Sequence, residues 1–244
     1  MTEKLSADEA VKAKWFDENY AEVEEKIKAA CLKKGIDRKD VILLAATKTV
    51  PVAVVNHAIN SGIDYIGENR VQEFLSKKDE LSTAAHRHFI GHLQTNKVKD
   101  IVGLVEMIES VHSLKLAAEI DKVSRAKGIV TDILIEINIG NEESKSGFLA
   151  EDVFDAVEKM AVMPNIKVKG LMTIPPICQN SEKLAEYFDK MCKVFIDIRD
   201  KNVDNVSMEY LSMGMSDDYE LAIEHGANVV RVGTKLFGQR IYNK

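Results

Sequence analysis

The sequence predicts one (β/α)8 barrel spanning residues 1–244, with an extra helix over residues 1–36 packed on its outside. Three observations predict it. Eight short apolar runs recur along the chain, at residues 41–47, 65–68, 88–91, 105–111, 132–139, 167–174, 206–213 and 228–233. Helical patterns separate most of them, and strands alternating with helices form a parallel sheet covered on both faces. The chain length of 244 residues suits eight such units closed into a barrel better than an open sheet. The first run is also not followed by G-x-G-x-x-G, which weakens a dinucleotide-binding reading.

Taken in order, the first element is a long helix. Ser6 and Glu9 have capping-box spacing, Val11, Trp15, Val23, Ile27 and Cys31 recur at helical intervals, and Gly35 supplies the stop. VILLAAT (41–47) is the first strand, apolar enough to be buried on both faces. Pro51 opens the following helix and Gly62 closes it. YIGE (65–68) is the second strand, with a helix from about Asn69. HFIG, VEMIESV, DILIEINI, KVKGLMTI, VSMEYLSM and NVVRVG supply the remaining six. The clearest helix between them carries Leu184, Phe188, Met191, Phe195 and Ile198 as one stripe.

Composition excludes several classes. Hydrophobic residues make up 45% and charged residues 30%, the balance of a folded core under a charged surface rather than of a disordered chain. A formal net charge of −6 gives no bulk attraction to nucleic acid or to an anionic membrane. No apolar run approaches the ~20 residues needed to span a bilayer. Cys31, Cys178 and Cys192 fit neither a disulfide framework nor a zinc spacing, so a reducing, cytoplasmic location is expected.

In a barrel, function gathers where the strands end. The first strand runs into AATKT and puts Lys48 at the mouth, where an amine can attack a carbonyl to form a Schiff base; a solvated loop lysine would occupy the same position. LSMGMSDD (211–218) and RVGTKLFG (231–238) are two strand–glycine–helix turns. Ser216 is placed to cap the helix after the first, and Gly233 and Thr234 open the second. Backbone amides and hydroxyls at such turns hold anions, and the turns after strands seven and eight are the usual phosphate site of a barrel. Arg231 lies inside an apolar strand and therefore needs a partner, either a carboxylate such as Glu209 or a ligand. An amine for a carbonyl, a cup for phosphate and a buried arginine together suit a phosphorylated aldehyde, and pyridoxal 5′-phosphate (PLP) fits.

Seven motifs then occur in order: AATKT around Lys48, GENRVQE (67–73), HFIGHLQTNK (88–97), KSGF (145–148), GLMTI (170–174), LSMGMSDD and RVGTKLFG. With them the chain resembles the pyridoxal phosphate homeostasis protein family (the YggS/PROSC-like group), whose barrel is like the N-terminal domain of alanine racemase. The resemblance implies a type III PLP fold with Lys48 as the Schiff-base lysine. It implies phosphate contacts from Ser212, Gly233, Thr234 and the backbone at Met213, with Arg231 facing the pyridine nitrogen and Asn69 and Met172 lining the ring. It also implies a PLP carrier or buffer without robust catalysis, whose partners are PLP and apo PLP-dependent enzymes, acting as a monomer. Thr47 stands where many relatives have serine, and Val50 where many have a second basic residue.

No catalytic residues are assigned. Racemisation needs acid–base groups on both faces of the substrate carbon; racemases bring one from a second domain, and here the barrel is expected to use the whole chain. A weak amino-acid racemase is the alternative, followed by a Schiff-base aldolase and a partner-binding barrel. His86 and His88 form an H-x-H without an evident third ligand, so no metal site is expected. Lys145 is read as a loop cation near the mouth, with a secondary PLP site there as the other reading.

Overall fold

The computed structural model describes residues 6–178 and 180–238. Eight parallel strands close in chain order: β1 (Ile42–Ala46), β2 (Tyr65–Glu68), β3 (His86–Phe89), β4 (Met107–Val111), β5 (Thr131–Ile137), β6 (Ile166–Thr173), β7 (Val206–Ser212) and β8 (Val229–Val232). The helices are α1 (Ala7–Lys34), α2 (Val52–Asn60), α3 (Val71–Lys77), α4 (Leu114–Lys127), α5 (Val153–Ala161), α6 (Ser181–Arg199), α7 (Tyr219–Glu224) and α8 (Thr234–Phe237). The predicted barrel with its additional N-terminal helix is therefore present. No helix among the described residues is long and apolar enough to cross a membrane.

Strand alternation divides the apolar residues between two layers. Leu43 and Ala45 pack outward against the helices, while Ile42, Leu44 and Ala46 face the barrel interior with Tyr65, Ile90, Tyr210 and Val229. Met107, Leu134 and Met172 fill a second interior cluster, also against Tyr210. β1 closes on β8 with Leu44 opposite Arg231 and Ala45 opposite Val232, so the turns after these two strands are neighbours at the rim.

Two expectations need correcting. The strand at HFIG begins two residues earlier, at His86, because an H-R-H alternation extends the pairing with β2 as far as Tyr65 opposite His86. The first half of α1 also turns a different face inward. Its capping box forms as expected and Gly35 ends it in the left-handed region (φ 77°), but Ala13 and Phe16 are buried while Val11 and Trp15 are exposed. Phe16, Tyr20, Val23, Ile27 and Cys31 follow each other by three or four residues, and this regular stripe sets the buried face. Phe16 stacks on Phe237 of α8 with ring centroids 5.5 Å apart, and Asn19 Nδ2 donates to the Leu236 carbonyl at 3.4 Å. The extra helix thus supports the turn that carries Gly233 and Thr234.

Candidate functional site

β1 delivers its chain into a tight turn. The Val50 amide donates to the Thr47 carbonyl at 3.0 Å, which puts Lys48 and Thr49 at the two central positions. Thr49 has φ 65°, the left-handed region that a β-branched residue rarely enters. Lys48 is half-buried and lines one cavity with Ala46, Gly233, Thr234, Phe237 and a second amine, Lys12. Three of the predicted ligands therefore meet: Lys48, Gly233 and Thr234. Thr234 is the first residue of α8, where amides have no partner within the helix.

Ser216 plays a different part from the one expected. Its hydroxyl does not cap its own helix, α7; it accepts from the Gly233 amide at 3.2 Å and the Lys235 amide at 3.3 Å and so caps α8. The Met215 amide turns instead to Asp218 Oδ1 at 2.5 Å. One serine consequently ties the two glycine turns together.

Ser212, Met213 and Arg231 are each held by contacts within the protein. The Met213 amide donates to the Val229 carbonyl at 3.1 Å, continuing the β7–β8 pairing. The Ser212 hydroxyl points into the barrel, donating to Glu109 Oε2 at 2.6 Å and accepting from Arg231 Nη1 at 2.6 Å. Arg231 Nη2 donates to the Thr173 carbonyl at 2.8 Å, and His88 Nδ1 meets Glu109 Oε1 at 2.7 Å. Glu209, the carboxylate offered by sequence, is half-exposed and pairs with Lys169 at 2.7 Å. It lies three residues from Ser212, and an odd spacing puts the two on opposite faces of a regular strand. Met172 is buried beside this network, opposite Ser212 across the β6–β7 pairing.

The result is a buried polar chain, His88–Glu109–Ser212–Arg231–Thr173. Burial pushes the Glu109 carboxyl up, but the hydrogen bonds and charges of His88, Arg231 and Ser212 outweigh it and hold the group below the usual carboxylate range. Burial also lowers the Arg231 guanidinium, opposed by Glu109, Asp218 and Glu136. His86 pairs with Glu106 at 2.6 Å on the exposed side, so the two histidines serve different carboxylates. Among the described residues no His, Cys, Asp and Glu side chains gather as a metal site.

Asn69 lies apart from Lys48's cavity. With His92, Ser110, Glu136 and Lys145 it lines a second cavity of about 540 Å³ at the mouth. Lys145 is held there by Glu142 at 2.5 Å and the Pro175 carbonyl at 3.2 Å.

Glu136 and Glu109 were not singled out from sequence. Each is a carboxylate in the middle of an apolar strand (DILIEINI, VEMIESV), which is the signal that marks them. Burial pushes Glu136 up to about 7, with Arg231 pulling it down. Because its folded value lies above the unfolded one, its contribution to stability is fully present below about pH 4.5 and is lost as pH rises through 7. In cofactor-free protein, Glu136→Gln should raise stability at pH 8 relative to wild type by about 1–3 kcal/mol and leave it near wild type at pH 5. Denaturant unfolding at the two pH values checks this.

The comparisons with known proteins place the chain in a family. The family model described as alanine racemase, N-terminal domain, matches residues 27–241. A pyridoxal phosphate homeostasis protein from Aquifex aeolicus is 45% identical over 92% of this chain and 98% of its own length. This chain belongs to the pyridoxal phosphate homeostasis protein family. Two solved structures share its fold. A protein of unknown function from Bifidobacterium adolescentis superposes with a TM-score of 0.91 at 33% identity, covering 96% of this chain and 98% of the other. PipY from Synechococcus elongatus, solved with PLP bound, gives 0.76 at 28% identity, covering 88% of this chain and 100% of PipY. As a member of this family, the chain shares its barrel with alanine racemase.

Proposed function

We propose that this protein holds PLP covalently on Lys48 and stores or delivers it, as a carrier in PLP homeostasis rather than as a robust catalyst. The observation that carries the reading is the single cavity that joins Lys48 to Gly233 and Thr234 across two adjacent strand ends. The donor set suits the cofactor: a primary amine for its aldehyde and a helix-opening turn for its phosphate. When bound, PLP supplies an aldehyde that links reversibly to an amine and a ring that can accept electrons.

The chain's own residues favour holding over turnover. Lys48 provides a linkage that water or another amine can reverse, so a ligand can be retained and still released. Thr234 offers its amide to the phosphate, and the Ser216 hydroxyl fixes the turn that presents it. Arg231, braced by Ser212 and Thr173, is positively charged and cannot take up a proton, so a ring nitrogen facing it stays unprotonated. Asn69 and Met172 complete the proposed ring contacts, with Ser212 and Met213 setting the β7 rim from beneath. Apo PLP-dependent enzymes are the proposed recipients, and one polypeptide is the proposed working unit.

One observation favours the alternative, a weak amino-acid racemase. Glu136 faces the mouth and titrates near neutrality, which suits a proton-transferring group. Racemisation needs a second such group on the other face of the substrate carbon. Chiral analysis of L-alanine incubated with loaded protein distinguishes the two; D-alanine formed by wild type and not by Glu136→Gln establishes the racemase.

The test of the main reading is borohydride reduction of PLP-loaded protein followed by peptide mass mapping. The label is expected on Lys48 and absent from Lys48→Ala. A label on Lys12, the other amine of that cavity, or undiminished labelling of Lys48→Ala refutes the assignment. Loaded wild type should also restore activity to an apo PLP enzyme faster than Lys48→Ala supplied with the same total PLP.

A further inference from the structure

The turn that bears Lys48 is held from behind by charged residues to which the binding site itself assigns no role. Glu68 ends β2, and its Oε1 accepts from the Thr47 hydroxyl at 2.7 Å. Lys77, at the end of α3, donates to the Thr47 carbonyl at 3.2 Å and to Glu73 Oε1 at 2.6 Å, and lies 3.6 Å from Glu68 Oε1. Glu73 Oε1 accepts the Thr49 amide at 2.5 Å. The turn is therefore gripped on both sides of Lys48: Lys77 holds the Thr47 carbonyl, Glu68 the Thr47 hydroxyl and Glu73 the Thr49 amide.

The grip is costly in itself, which argues for a purpose. Lys77 is a lysine only 9% exposed, and lysines are almost never buried without a paired charge. Glu68 is buried as well, and its Oε2 has no hydrogen-bond partner among the described residues. Burial pushes the Glu68 carboxyl up against the pull of Lys77 and Thr47. What these groups secure is a threonine at φ 65°, a conformation that relaxes unless its surroundings over-determine it. With the turn fixed, the direction in which the Lys48 side chain leaves the backbone is fixed too.

We propose that Lys77, acting through Glu73 and together with Glu68, positions the Lys48 amine for attack on the cofactor aldehyde by enforcing the strained turn at Thr49. That attack forms a C=N bond as the aldehyde oxygen leaves as water with the two amine protons. The inference rests on the reading of Lys48 as the PLP-bearing residue. None of the three touches the ligand; they are positioning residues. A side chain of similar length without charge, Lys77→Met, leaves the Thr47 carbonyl with the Val50 amide alone and Glu73 without its cation. Glycine at position 49 adopts φ 65° without strain, so Thr49→Gly offers a second route to the same turn.

The experiment uses the full chain prepared free of PLP and titrated with PLP. The affinity and the rate of borohydride-trappable attachment to Lys48 are read by absorbance and mass mapping, and thermal stability is read on the same samples. Relative to wild type, Lys77→Met is expected to lose about tenfold in both affinity and rate, the scale of one left-handed residue's strain released before binding. Lys77→Arg should retain most of both. The double variant Lys77→Met with Thr49→Gly should recover part of the loss without recovering thermal stability in proportion.

Wild-type affinity and rate in Lys77→Met overturn the proposal. So does a loss that merely tracks the folded fraction, or a double variant no better than Lys77→Met. If Lys77→Met does not fold, Glu73→Gln carries the test: it keeps the side-chain shape while weakening the hold on Lys77 and Thr49, and unchanged attachment there is equally fatal. If wild type itself is trapped on a residue other than Lys48, the parent assignment fails, and that result is distinct from a Lys48-labelled wild type that is indifferent to Lys77.

Discussion

Arg231→Met is expected to destabilise the cofactor-free protein by about 3–5 kcal/mol, the usual consequence of removing one member of a buried charge network. The reason lies in what remains. Glu109 is completely buried, and its two oxygens are committed to His88 and to Ser212, which in turn rests on Arg231. Without the guanidinium the Ser212 hydroxyl and the Thr173 carbonyl each lose a donor. Glu109 loses one of the positive charges that hold its carboxyl down, so it should take up a proton at higher pH than in wild type. A second substitution, Glu109→Gln, removes the stranded charge. The double variant should therefore be less destabilised than the sum of the singles, with a coupling of about 0.5–3 kcal/mol. Urea unfolding of the four proteins provides the cycle, and strictly additive losses would refute the network as drawn.

That network also shows where sequence reading stops. The eight strands, their alternation with helices and the glycine turns after β7 and β8 were legible, because apolar runs and glycine turns are local signals. Lys48, Gly233 and Thr234 could be picked out for the same reason, each being fixed by its place at a strand end. The partner of Arg231 was not legible. It depends on which residues of β4, β6 and β7 share the barrel interior at one height, and the register of β6–β7 shifts between Val168 and Gly170. A shift of that kind is invisible to periodicity. Ser216 shows the same limit: its spacing suits a cap for α7, yet the turn brings its hydroxyl to the start of α8. In α1 the error was of another sort. Val11 and Trp15 are apolar and correctly spaced from each other, but they lie one position off the stripe that Phe16 begins, about 100° around the helix.

The polar interior bears on the choice between carrier and catalyst. Arg231 is held by two acceptors before any ligand arrives, so the charge proposed to face the pyridine nitrogen needs no rearrangement on binding. The turn that carries Lys48 is likewise set in advance by Glu68, Glu73 and Lys77. A site organised this way lowers the ordering cost of binding. Glu136 lines the cavity at the mouth and burial pushes its carboxyl up to about 7, which is why its substitution decides the racemase alternative.

The steric prediction that bears on the site falls at Gly91, which lies just beyond β3 and packs on Asn69, just beyond the end of β2. A methyl group added there would lie 2.0 Å from the Asn69 carbonyl oxygen and 2.6 Å from its carbonyl carbon and Cα. These are backbone atoms, so no rotamer change relieves the contact, and β2 must move away from β3. The hydrogen bond from the Ile90 amide to the Glu68 carbonyl, 2.9 Å, lies in the path of that movement, as does the bond from Ser110 Oγ to the Gly91 carbonyl. Gly91→Ala should therefore cost at least the upper part of the ~1–3 kcal/mol typical of overpacking. It should also weaken PLP binding, because Asn69 and the Glu68 end of the clamp are displaced together. Gly128→Ala is the control. Gly128 ends α4 at φ 67° with nothing near the added methyl, so its cost is conformational, about 1–2 kcal/mol, and confined to that helix end. Measured side by side, both variants should lose stability and Gly91→Ala alone should lose PLP affinity; equal affinities in the two would show that Asn69 takes no part in the site.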